Sequence, residues 1–86
     1  IYIPTAFTPN NDGLNDSWRI PFLDPDWQPV VKVFDRAGQL VYQANGPGIS
    51  WDGRFRGVEM SAGVYTYLLS LARFNRIRKG TITLIR

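Results

Sequence analysis

The run GVYTYLLSL, residues 63–71, decides the fold. Tyr65, Tyr67, Leu69 and Leu71 fall on one side of an extended chain, and Val64, Thr66, Leu68 and Ser70 fall on the other. A period of two, carried by β-branched and aromatic residues, predicts a strand and not a helix. The segment RFNR (73–76) then reverses the chain into GTITLIR (80–86), which sets Ile82 and Leu84 against Thr81, Thr83 and Ile85. Together these form a long C-terminal hairpin. Upstream, VVKVFDR (30–36) alternates Val31 and Val33 with Lys32 and Phe34. DRAGQ (35–39) follows as a hairpin turn, with Gly38 available for positive φ, and NGPG (45–48) reads as an irregular loop.

Short strands are expected at 1–3, 17–20, 29–35, 39–43, near 51–55, 63–72 and 77–86. With proline confined to strand ends and loops, this spacing predicts an all-β, Ig-like antiparallel β-sandwich of about seven strands. The 86 residues suit one domain, spanning 1–86, and 44% of them are hydrophobic, enough for a core. There is no cysteine, so neither a disulfide nor a thiolate metal site can support that core. No apolar run is long enough to span a bilayer as a helix. Ile1 opens without a methionine or a charged leader, so the chain is expected to be a fragment of a larger secreted protein, or a mature piece.

The composition argues against catalysis. Histidine is absent, there is no thiol nucleophile, and Ser17, Ser50, Ser61 and Ser70 have no neighbouring base pattern. No phosphate-cradling glycine motif occurs. Charge is distributed by position: residues 1–29 hold Asp12, Asp16, Asp24 and Asp26 against Arg19 alone. Residues 60–86 hold Arg73, Arg76, Arg78, Lys79 and Arg86 with no acid. Such asymmetry predicts an oriented contact with an acidic partner, or simply a solvated basic hairpin. The acidic N-terminal third and the lack of an RNA-binding motif exclude nucleic acid from the expected partners.

FTPNNDGLND (7–16) is a concentration of turn formers. Pro9 fixes the entry, Gly13 supplies positive φ, and Asn10, Asp12, Asn15 and Asp16 can bond nearby backbone. Oxygen ligands also alternate through Asn10, Asp12, the Leu14 carbonyl and Asp16, a partial calcium-loop pattern. Thr8 stands where a first carboxylate would be, and Arg19 where a closing glutamate would be, so calcium is the alternative to a plain turn. Trp51, Asp52 and Gly53 read as a tight turn with a core-anchoring indole, and Tyr65 and Tyr67 as core. Gly80 reads as a strand-start or bulge glycine.

Taken in order, FTPNNDGLND, VFDRAGQLVY (33–42), WDGR (51–54), AGVYTYLL (62–69) and KGTITLIR (79–86) resemble the type B C-terminal domain of the type IX secretion system. This is also called the gliding motility-associated C-terminal domain. The loop carries the most specific part of the resemblance through Phe7, Thr8, Pro9, Asn10, Asp12, Gly13, Asn15 and Asp16. Trp51, Asp52, Gly53, Gly63, Tyr65 and Tyr67 carry the part shared with other Ig-like modules. Lys79, Gly80 and Arg86 match the family's terminal motif, and Ala37 stands where the family often has a large residue.

The resemblance implies a non-catalytic sorting domain at the end of large surface or secreted proteins of Bacteroidota. Its cargo would pass through the periplasm and then the outer membrane to the cell surface or medium. The implied partners are the outer-membrane translocon, its shuttle barrel and upstream cargo domains. Arg73, Arg76, Arg78, Lys79, Gly80 and Arg86 are the candidate contact residues on the last hairpin, which could present an edge strand. The alternative is a passive Ig-like spacer or glycan-contacting module.

Overall fold

A computed structural model describes residues 2–10, 13 and 15–86. Nine strands run through the described residues: β1 (Ala6–Phe7), β2 (Trp18–Arg19), β3 (Pro29–Phe34), β4 (Leu40–Asn45), β5 (Ser50–Trp51), β6 (Arg54–Phe55), β7 (Val58–Glu59), β8 (Gly63–Leu71) and β9 (Arg76–Leu84). Two single-turn 3-10 helices, Pro25–Trp27 and Ala72–Phe74, complete the regular structure. One sheet has the order β1-β9-β8-β3-β4. The β2–β5 pair and the β6–β7 hairpin are the smaller elements beside it. The result is an open, Ig-like β-sandwich.

The period of two becomes the inner face. Val31 and Val33 of β3 pair with Leu69 and Tyr67 of β8, and Tyr65 of β8 pairs with Ile82 of β9. All six are buried. The second layer is fixed by Trp18 and Trp51, direct partners across β2 and β5 and 0% and 1% exposed. Trp18 packs on Tyr67 with ring centroids 5.5 Å apart. Trp51 meets Tyr65 edge-on at 5.2 Å and Phe7 at 5.5 Å. Each such pair adds about 0.5–1.5 kcal/mol beyond area burial. Both indole N–H groups are satisfied: Trp18 Nε1 donates to the Pro4 carbonyl at 2.8 Å, and Trp51 Nε1 to the Arg54 carbonyl at 3.0 Å. Without those partners, two polar atoms would be buried at a cost of about 1–3 kcal/mol each.

Turn chemistry closes the hairpins. Asp35 Oδ1 accepts from the N–H groups of Ala37 and Gln39, and Gly38 takes φ +83°. A register shift between Val33 and Phe34 leaves Val41 as the extra residue of a bulge in β4, and Val41 is buried.

Several expectations change. The strand expected at 1–3 is not formed by residues 2 and 3; the first strand is β1, at Ala6–Phe7. Pro4 cannot donate to a ladder, and pairing begins only where Thr83 N–H reaches the Thr5 carbonyl at 2.8 Å. That β1–β9 pairing is parallel, so the sandwich is not wholly antiparallel. The segment near 51–55 divides into β5 and β6, and β7 was not anticipated.

Gly80 neither starts a strand nor marks a bulge. It lies mid-strand in the unbroken β8–β9 register, opposite Tyr67. A Cβ at Gly80 would sit 2.7 Å from the Tyr67 ring. Gly80→Ala should therefore destabilise the domain by about 1–3 kcal/mol, read as a drop of about 4–8 °C in Tm per kcal/mol. In a Tyr67→Leu background the same change should cost clearly less. An equal cost in both backgrounds would refute the steric account.

Candidate interaction surface

The distal end of the β8–β9 hairpin is where the core stops. Ile82 and Leu84 hold the inward positions of β9, and Gly80 lies beneath Tyr67. The next two positions of the same parity are Arg78 and Arg76, both exposed, opposite the buried Leu69 and Leu71. On the other face, Ile77, Lys79 and Thr81 are exposed, and Ile77 retains 71% of its accessible surface. The reversal between the strands is rigidly built. Asn75 takes φ +51° and donates to the Ala72 carbonyl at 3.1 Å. Phe74 meets Trp27 edge-on at 6.1 Å, and the Arg73 guanidinium lies 5.9 Å from the Phe74 ring.

The structure gathers Arg73, Arg76, Arg78 and Lys79 on this hairpin. Among the described residues none of the four forms an ion pair, because both salt bridges run to Glu59, from Arg54 and from Arg86. Arg86 belongs elsewhere. Its Nε donates to the Met60 carbonyl at 2.7 Å and its Nη2 to the Gly53 carbonyl at 3.2 Å. It clamps the end of the chain onto the β6–β7 hairpin and is not part of the free basic patch.

Gly53, at φ +81°, is buried, and a Cβ there would lie 3.2 Å from Leu84 and 3.4 Å from Pro9. Asp52 Oδ1 accepts from Arg54 N–H at 3.0 Å. Trp51, Asp52 and Gly53 thus hold a turn against which the chain's last residues pack. Gly63 opens β8 opposite Leu84, and Tyr65 and Tyr67 lie in the core, with the Tyr65 hydroxyl donating to the Ser61 carbonyl at 2.7 Å.

In the FTPNNDGLND stretch, Phe7 is a buried strand residue of β1 and not part of a loop. Asp16 Oδ2 accepts from Gly13 N–H at 2.7 Å, and Thr8 N–H donates to the Asn15 carbonyl at 2.8 Å. Asn10 N–H donates to the Thr8 carbonyl at 2.8 Å, while Gly13 and Asn15 take φ +82° and +53°. Asp12 and Leu14, two of the four calcium ligands expected from sequence, lie outside the described residues. Ile77 was not singled out from sequence as a surface residue, whereas Phe74 stands among the cations of the basic hairpin that the sequence suggested. The available signal was parity: the inward positions of β9 change from Ile82 and Leu84 to Arg76 and Arg78, so the strand must outrun the core.

Fold and surface together define a small Ig-like sandwich module that carries a basic hairpin. The CHU_C family, described as the type IX secretion signal domain, matches residues 1–84, and the chain belongs to that family. The family is one of non-catalytic sorting signals. Among solved structures, the chain resembles part of PorZ, an essential bacterial surface component of the type IX secretion system of Porphyromonas gingivalis. The TM-score is 0.69 at 22% identity, over 99% of this chain and 11% of that one. At this identity the likeness is one of fold. No curated protein matches the chain. No helix among the described residues is long and apolar enough to cross a membrane.

The arginines separate by role in a stability measurement. Arg86→Met removes charge-assisted bonds to two carbonyls and should cost about 1–2 kcal/mol in denaturant unfolding, discounted for its partial exposure. Arg76→Ala and Arg78→Ala should each stay within about 0.5 kcal/mol of the parent. A cost for Arg76→Ala equal to that of Arg86→Met would contradict the division.

Proposed function

We propose that residues 1–86 are a sorting signal that directs the protein carrying them through the type IX system, across the outer membrane to the cell surface or medium. Recognition is by a translocon or shuttle component that meets the distal β8–β9 hairpin through Arg73, Arg76, Arg78 and Lys79. One observation carries this reading beyond family membership: four cations without ion-pair partners among the described residues are gathered on one hairpin of a chain that also carries seven carboxylates. Cations left unpaired on an ordered scaffold favour association with an acidic surface, with rates that fall as salt rises.

A periplasmic reporter fused ahead of residues 1–86 should appear outside cells with a working type IX system and stay periplasmic in a strain lacking the translocon. Arg76→Glu with Arg78→Glu should retain the parent Tm and lower export at least tenfold. Retention of the parent fusion in both strains would overturn the sorting role and leave a passive Ig-like spacer. Full export of the folded double variant would remove the basic hairpin from recognition.

In this proposal the stretch after β1, residues 8–16, serves as a side-chain-held turn, and calcium at Asn10, Asp12, Leu14 and Asp16 is its alternative. A cation at 100 times its Kd would add about 2.7 kcal/mol. The turn reading predicts the same Tm with chelator and with millimolar calcium, and a calcium-dependent rise would favour the cation site.

A further inference from the structure

β9 has one partnered side and one largely open side. β8 pairs along its full length, from Arg76 to Leu84, whereas β1 reaches only Thr83 and Leu84 on the other side. Thr83 N–H and Ile85 N–H donate to the carbonyls of Thr5 and Phe7. Odd-numbered residues therefore direct their backbone groups away from β8. In a strand whose register has no break, the same holds for Ile77, Lys79 and Thr81. These three present N–H and C=O groups at a sheet edge that no described strand covers. The opposite edge, β4, is better shielded: β6 packs beside it, and the Tyr42 hydroxyl accepts from Ser50 N–H at 2.9 Å.

An open edge is a template for strand addition. The side chains around this one determine what can be added. Arg76 and Arg78 flank it on one face and Lys79 on the other, all exposed, and among the described residues none is ion-paired. A second copy of the chain would set base against base across the new pair, which is unfavourable. An acidic strand would set carboxylates opposite the same cations, and Ile77 offers it an apolar contact.

We propose that β9 accepts an extended acidic segment of a partner protein, which adds to residues 77–81 as a further strand of the sheet. This rests on the reading that the basic hairpin meets a partner, and it specifies how. Backbone bonding supplies the attachment, and the arginines and lysine select the charge.

The test uses the intact 86-residue domain and a synthetic peptide alternating valine and glutamate, followed by amide NMR. At saturating peptide, exchange of the Ile77, Lys79 and Thr81 amides should slow by about tenfold, with Arg78 and Gly80 unchanged because β8 already holds them. A peptide of equal charge with proline at alternate positions should not produce this pattern. Arg76→Glu with Arg78→Glu should weaken binding at least tenfold, and an alternating valine–lysine peptide should fail on the parent.

Equal effects from the proline-containing peptide would reduce the contact to bulk electrostatics and overturn strand addition. So would an absence of amide shifts up to millimolar peptide. Failure here with export of the reporter intact would sink the strand-addition step alone. Normal peptide pairing without export would sink the sorting role instead.

Discussion

The structure depends on two indoles that face each other across a two-residue strand pair. Trp18 and Trp51 belong to β2 and β5, elements too short to stand alone, so they depend on what the rings touch. Trp18 is set on Tyr67, while Trp51 is set on Tyr65 and Phe7. One ring thereby ties the second layer to the middle of β8, and the other ties it to both β8 and β1. The indole N–H bonds extend this outward, fixing Pro4 from one side and the Arg54 turn from the other. A domain with no disulfide and a small core has few other means of holding a second layer against its sheet.

That arrangement divides the C-terminal hairpin between two tasks. The half near Tyr65 and Ile82 is core, and Gly80 marks the limit, where the Tyr67 ring occupies the space a side chain would need. Beyond it the strands continue without a second layer beneath Arg76 and Arg78. The extension keeps its shape because the 3-10 turn, Asn75 and the Trp27–Phe74 contact brace its tip. In the proposed function this is the surface that meets a partner, and a cationic, incompletely paired strand suits such recognition.

The long strands were legible in the sequence because alternation needs length to be seen. Residues 63–71 and 30–34 carry enough positions for a period of two to stand out, and their burial follows it. β1, β2, β5, β6 and β7 have two residues each, and two residues cannot display a period. The parallel pairing of β1 with β9 joins the two ends of the chain, and no local pattern encodes it. The candidate site was legible in part. Composition grouped Arg86 with the other cations, since charge alone cannot show that its guanidinium is spent on two carbonyls. The role of Gly80 was hidden for a similar reason: it exists only through a ring thirteen positions away in sequence.

The central claim is that the distal face of β9 is where the domain meets the secretion machinery, and site-specific photocrosslinking in secreting cells tests it most directly. A photoreactive amino acid in place of Ile77 or Lys79 should yield adducts with an outer-membrane secretion component. The same probe in place of Val58, exposed on the β6–β7 hairpin, should yield none. Adducts from position 58 without any from 77 or 79 would contradict the account.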